Sequence, residues 1–223
     1  MGKPKIAVLL SGCGVYDGAE IHESVITMLA LDRAGAEKVM MAPDIDQLHV
    51  INHLNGEEMD GDGRNVLVES ARIARGDIKS ISEVTEKDLD ALIFPGGFGV
   101  AKNLSDYAMA GANCTVNPEI ARLTRAVHKA GKPIGVMCIA PTMMAKILND
   151  DDLSADLTIG SDEKTGNDIN SMGSNHIKCP AQGVVIDKEM RIVSTPAYME
   201  AKNMAEAAEG IEKLVSEVLK MIN

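Results

Sequence analysis

Lys132-Pro133-Ile134-Gly135-Val136-Met137-Cys138-Ile139-Ala140-Pro141-Thr142-Met143-Met144-Ala145-Lys146-Ile147-Leu148 joins a short apolar run, launched by a proline, to a segment with helical spacing. The run reads as a buried strand, and Met143 or Met144, Ile147 and Leu148 share one face of the helix behind it. Cys138 sits between them. A thiol at a strand-to-helix junction is carried on a sharp turn beside unpaired helix N–H groups, whose positive dipole end favours the thiolate. Serine nucleophile elbows use the same geometry. The competing reading is a core thiol, since free cysteine is among the most buried residue types. This stretch alone leaves the two open.

The rest of the chain supplies the sheet for that strand. Residues 5–10 read as a first strand, and the helix after it starts near Ala19 or Glu20 with Ile21, Val25, Met28 and Leu29 spaced for a buried face. Ala34-Gly35 ends this helix, and Lys38 to Ala42 forms a second strand closed by Pro43, which makes a βαβ start and implies a parallel sheet. His49 to His53 looks strand-like. Asn65 to Arg75 reads as a helix, with Asn65 as cap and Gly76 as stop. Between them, Gly56 to Arg64 reads as an exposed turn, since Asp60 and Asp62 lack further ligands at calcium-loop spacing. Asp90 to Phe94 is a third core strand running into Pro95-Gly96-Gly97-Phe98-Gly99. Helical patches follow at Ala101–Ala110 and Pro118–Ala130. Residues 149–180 are polar, with a short strand at Leu157 to Ile159. Val184 to Val193 reads as a hairpin, and the final helix buries Ile211, Leu214, Val215, Val218, Leu219 and Ile222. No repeat or linker interrupts the chain, so residues 1–223 are expected to form one α/β domain.

Composition narrows the function. The chain has 223 residues, 45% hydrophobic and 25% charged, which supports a sizeable core. A net charge of −11 argues against a nucleic-acid surface. No apolar run is long enough to span a bilayer. The start of the chain runs straight into a strand without a recognisable targeting pattern, so a cytoplasmic protein is expected. Cys13, Cys114, Cys138 and Cys179 show no paired spacing, which suits a reducing compartment. With no Trp and fourteen Met, the core is soft and aliphatic.

Sites in open parallel sheets gather beyond the carboxyl ends of the strands. Three loops leave such ends: Ser11–Gly18, Pro95–Gly99 and the Cys138 turn. The first delivers Glu20 and Glu23 to the opening turns of a helix. Acidic residues there often only complement the helix dipole, yet this terminus lies where a carboxyl can meet Cys138. Gly96 and Gly97 let backbone approach a substrate closely. Gly12-x-Gly14-x-x-x-Gly18 is a weak dinucleotide-loop match, because its spacing departs from the usual fingerprint and Asp17, Glu20 and Glu23 would face the pyrophosphate. His49 and His53 lack a metalloprotease signature, and His176-x-x-Cys179 has no second pair for zinc. No cofactor or metal is expected.

Together these loops resemble the ThiJ/PfpI superfamily of class I glutamine amidotransferase-like proteins. The residues that carry the resemblance are Gly18-Ala19-Glu20-Ile21-His22-Glu23-Ser24-Val25, Arg33-Ala34-Gly35, Asp90 to Gly97, Lys102-Asn103-Leu104-Ser105 and Cys138-Ile139-Ala140-Pro141-Thr142. Ser11 to Gly18, Asn52-His53-Leu54 and Thr195-Pro196-Ala197-Tyr198-Met199 are similar to the ElbB branch, described as glyoxalase-like and linked to isoprenoid biosynthesis. The resemblance implies a flavodoxin-like three-layer α/β sandwich with a mostly parallel sheet and a nucleophile elbow. It also implies that Cys138 is the nucleophile and Glu23 its carboxyl partner, with Gly97 and Ile139 as oxyanion donors and Gly96 beside them. A homodimer is the family default. Two departures matter. PfpI-type proteases place histidine directly after the cysteine, where Ile139 stands, and the related deglycases carry one where this chain reads Ile159-Gly160-Ser161-Asp162.

The activity expected from these residues is a cofactor-independent, glutathione-independent glyoxalase (a lyase) acting on a small aldehyde, glyoxal or methylglyoxal, through a Cys138 thiohemiacetal. The alternative is a redox-sensing or regulatory protein with an oxidisable Cys138. Glu23, if protonated, supports a thiolate, so a raised Glu23 pKa and a lowered Cys138 pKa are expected.

Overall fold

Seven strands form the central sheet of the computed structural model, which describes residues 2–59, 61 and 63–222. Asp60 and Asp62, and with them part of the expected turn, lie outside the described residues. The strands are β1 (Lys5–Leu9), β2 (Glu37–Ala42), β3 (Lys79–Ser80), β4 (Ala91–Phe94), β5 (Ile134–Met137), β8 (Val185–Asp187) and β9 (Ile192–Thr195), in the order β3-β2-β1-β4-β5-β9-β8. All neighbours are parallel except β8, which closes one edge antiparallel to β9. Two further strands, β6 (Asp156–Leu157) and β7 (Asn175–His176), make a separate parallel pair.

The helices are α1 (Ile21–Arg33), α2 (Val66–Ala74), α3 (Tyr107–Ala110), α4 (Pro118–Lys129), α5 (Ala140–Asp150), α6 (Glu163–Ser171) and α7 (Met204–Ile222). Alternation along the strands divides the core between them. Ile6, Val8, Ala91 and Ile93 pack with α1, α2 and α7, whereas Ala7, Leu9, Leu92 and Phe94 pack with α4 and α5. Strands buried on both faces read as continuous apolar runs, which is why β1, β4 and β5 were readable from sequence. The result is a three-layer α/β sandwich with a mixed, mostly parallel sheet of the flavodoxin-like class. From β1 the chain steps outward to β2 and β3, then returns to β4 and β5 on the other side. The crevice between β1 and β4 is therefore a topological switch point.

Four local expectations are corrected. The apolar stripe of α1 faces outward: Ile21, Val25 and Leu29 are 41%, 48% and 42% exposed, while Glu23, Ser24, Ile26, Thr27, Ala30 and Leu31 are buried. The helix is rotated to bring Glu23 inward, and Ile26, Ala30 and Leu31 provide the apolar contact. His49 to His53 is no strand. It makes only an isolated bridge, Ile51 to Glu58, because its polar groups bond to loops rather than to a neighbouring strand. The Ala101–Ala110 patch divides into a π-turn, Val100–Leu104, and the single turn of α3, with Ser105 extended between them. The polar stretch after α5 holds α6, capped by the Asp162 side chain on Thr165 N at 2.8 Å.

Candidate active site

Cys138 occupies the turn between β5 and α5 with φ +58°, the left-handed region that residues carrying a Cβ rarely adopt. Its N–H donates to Thr195 O at the end of β9, 3.0 Å away, which ties the elbow to the neighbouring strand. The side chain is 8% exposed, and the N–H groups of Gly97 and Ile139 point at its sulfur. The sharp turn and the helix start read from the sequence are both present.

Glu23 reaches this sulfur from the first turn of α1 and is fully buried. Its carboxyl shares a hydrogen bond with the Cys138 thiol. Oε2 accepts Gly96 N–H at 2.8 Å and Oε1 accepts Tyr198 N–H at 3.2 Å. The loop after β4 packs against both partners. A Cβ at Gly96 would lie 2.3 Å from Cys138 Cβ and 2.7 Å from Glu23 Oε2, so only glycine fits there. A Cβ at Gly97, which sits at φ +97°, would lie 2.4 Å from the Gly18 carbonyl oxygen in the loop after β1. Cys138, Glu23, Gly96, Gly97 and Ile139, read from three separate loops, thus converge on one point.

Burial, which strips water from the carboxylate, and the Glu20 charge close by raise Glu23 to about 7, against which its N–H donors and the Cys138 thiol act only in part. The expected lowering of the Cys138 thiol is corrected. Burial and the charge of Glu23 push it up, and the N–H groups of Gly97 and Ile139 offset this only in part. Two groups in one hydrogen bond titrate as a pair. The first proton leaves near neutrality, and the second is retained because two adjacent buried negative charges repel.

Several contributors were not legible. Glu20 caps α1, its Oε2 accepting Glu23 N–H at 2.7 Å, which occupies the helix terminus a phosphate would need and removes the dinucleotide reading. Asn103, on the π-turn, donates to Ser11 O and Asp17 O at 2.9 Å each and accepts Leu48 N–H, stapling the first loop in place. Tyr198 acts through its main chain, which no side-chain pattern reports. Where deglycases carry histidine, the Ser161 N–H and hydroxyl both donate to the Glu200 carboxylate. His22, next to Glu23, bonds Tyr198 OH at 2.8 Å.

The chain is 42% identical over 226 residues to a human protein named glutamine amidotransferase-like class 1 domain-containing protein 3, mitochondrial, covering 97% of this chain and 83% of the relative. It is 40% identical over 228 residues to the rat ES1 protein homolog, mitochondrial, covering 98% and 84%. The chain belongs to the ES1 family of glutamine amidotransferase-like class 1 proteins. No family model matches it. An Ehrlichia chaffeensis family member, described as an isoprenoid biosynthesis protein with an amidotransferase-like domain, superposes with a TM-score of 0.92 at 37% identity, covering 99% of this chain and all of that one. Drosophila melanogaster DJ-1beta, at 18% identity, shares the fold with a TM-score of 0.57 over 99% of this chain and 96% of its own. The expected cytoplasmic location is overturned: these curated relatives, and the zebrafish ES1 protein with them, are named mitochondrial. Among the described residues no helix is long and apolar enough to cross a membrane.

Proposed function

We propose that this ES1-family protein is a cofactor-independent glyoxalase of the ElbB-like kind, converting glyoxal or methylglyoxal to the 2-hydroxy acid. The observation that carries the reading is the buried Glu23 carboxyl, near-neutral in its titration and hydrogen-bonded to a thiol that faces two main-chain N–H groups. A base with this pKa is matched to proton transfer at neutral pH.

In this scheme Cys138 Sγ attacks an aldehyde carbon and its proton passes to Glu23. The N–H groups of Gly97 and Ile139 hold the developing oxyanion, which then takes the proton back. Glu23 next removes the proton from the carbon that bears sulfur, and the electron pair forms an enediol across both carbons. Protonation of the second carbon leaves a thioester, which water cleaves to the 2-hydroxy acid and the free thiol. One water is consumed and no external oxidant or reductant is needed.

Turnover of glyoxal and methylglyoxal by wild type, Cys138→Ser and Glu23→Gln tests the scheme. Both variants are expected to lose activity, and undiminished turnover by Cys138→Ser would sink it. The same donors around the sulfur also favour the redox reading, because they would solvate the oxygens of a sulfinic acid. Preferential oxidation of Cys138 by graded peroxide in a protein without turnover would select that alternative. A role in isoprenoid metabolism has only the name of the Ehrlichia protein behind it.

A further inference from the structure

The end of β9 and the turn after it each meet the Cys138–Glu23 pair once. Thr195 O accepts Cys138 N–H, and three residues later Tyr198 N–H donates to Glu23 Oε1. At 3.2 Å the Tyr198 bond is the longer of the two N–H bonds to Glu23, against 2.8 Å from Gly96, so it is the more easily lost. Its geometry rests on a constrained segment. Pro196 leads into a single 3₁₀ turn, Ala197–Met199, and Ala197 sits at φ +45°, a conformation that costs energy for any residue with a Cβ. Such a turn persists only where its surroundings hold it.

Two side chains do so from opposite ends. Glu200 accepts both the N–H and the hydroxyl of Ser161, and Tyr198 OH bonds His22 Nδ1 at 2.8 Å, with the two rings 5.7 Å apart. His22 immediately precedes Glu23 on α1. The contacts therefore close a ring that runs from the Tyr198 phenol to His22, along the helix to Glu23, and from the Glu23 carboxyl back to the Tyr198 N–H. A rigid helix turn fixes one side of this ring, so the phenol–imidazole bond helps hold the 3₁₀ turn with its N–H on Glu23.

We propose that Tyr198, anchored by His22, is a positioning residue that aims its own main-chain N–H at Glu23 and so sets the pH at which the Cys138–Glu23 pair becomes reactive. The inference rests on Glu23 being the proton acceptor for Cys138. The ionisable groups facing Glu23 are Glu20 from its own helix, Cys138 from the elbow and the Tyr198 phenol from the β9 turn, which burial and the charges of Glu20 and Glu23 push up. The β4 loop contributes only the Gly96 N–H, and the β9 turn adds the Tyr198 N–H to its phenol. An N–H bond favours the charged carboxylate, so loosening it moves the ionisation of Glu23 upward. Because the phenol and imidazole can exchange donor and acceptor roles, the anchor does not depend on the charge of His22.

The experiment is the rate of Cys138 alkylation by iodoacetamide as a function of pH, read site by site by peptide mass mapping. Wild type, Tyr198→Phe, His22→Ala and His22→Asn are compared. Wild type is expected to show a step near neutrality. Tyr198→Phe and His22→Ala should move its midpoint up by about half a pH unit, and His22→Asn, whose amide can occupy the place of Nδ1, should bring it back. His22 is exposed, so its variants keep the test alive if Tyr198→Phe folds poorly. A midpoint unchanged in both Tyr198→Phe and His22→Ala overturns the positioning role alone. A wild-type profile without any step near neutrality would instead break the Cys138–Glu23 reading beneath it. Neither result requires turnover of an aldehyde.

Discussion

Cys138 and Cys114 are both buried thiols in this molecule, and their surroundings differ in one decisive way. Cys114 follows a 3₁₀ turn, Gly111–Asn113, gives its N–H to Gly111 O, and packs into the apolar layer with Phe94, Leu104 and Ile120. Burial and the charge of Asp106 push its thiol up to about 11. Cys138 is also pushed up by burial, but its sulfur faces two N–H donors and a carboxyl that holds its own proton until about 7. Burial by itself makes a thiol inert. In the proposed scheme, burial beside a carboxylate that can take the proton makes it usable at neutral pH.

The sharpest way to break this contrast is to remove each of the two thiols in turn. Cys138→Ser is expected to lower kcat/KM for glyoxal by about 10³-fold or more, whereas Cys114→Ala should stay within about twofold of wild type; equal losses would erase the distinction.

The carboxyl half of the contrast shows in stability. Glu23 has its folded-state pKa raised from 4.5 to about 7, so between those values the folded protein holds a proton that the unfolded chain has released. This group therefore lowers stability as pH rises through that window. Glu23→Gln should lose about 3 kcal/mol less than wild type across it. Chemical denaturation at the two ends of the window measures the difference, and parallel curves would show that Glu23 titrates normally.

A third test acts on the space between thiol and carboxyl. Gly96→Ala places a methyl group against Cys138 Cβ and Glu23 Oε2, and the pair must separate. Turnover should fall about 100-fold while alkylation of Cys138 loses its step near neutrality. The smallest effect belongs to the core thiol: Cys114→Ala should cost about 1–2 kcal/mol in thermal or chemical unfolding, with no change in the Cys138 profile.

Much of the sheet was legible because strands buried on both faces announce themselves as apolar runs: Ile6 to Leu9, Leu92 to Phe94 and Ile134 to Met137 all read correctly. The residues 163–171 did not, since Glu-Lys-Thr-Gly-Asn-Asp-Ile-Asn-Ser carries one large apolar side chain and forms a helix only with its Asp162 cap and the packing of Ile169. In α1 the period was right and the face was wrong. Ile21, Val25 and Leu29 share a stripe, but a stripe does not say which way it turns, and here the polar residue Glu23 points inward. Glu23 was nevertheless identifiable as a candidate, because its place at a helix start beside a strand end is a sequence property.

The sequence by itself determined the strand-to-helix junction at Cys138, the parallel sheet that supports it and the three loops that lead to it, since strand and helix periods and glycine turns are local. The roles expected of Cys138, Glu23, Gly97 and Ile139 came from the family resemblance. The tertiary structure decided how those residues act on one another. The rotation of α1, the N–H of Tyr198 on Glu23, the staple made by Asn103 and the shared proton of Glu23 and Cys138 all depend on distances between segments far apart in the chain. Desolvation and charge coupling in a buried pair arise only when the loops close over it, and for that reason the direction of the Cys138 shift was set by the fold.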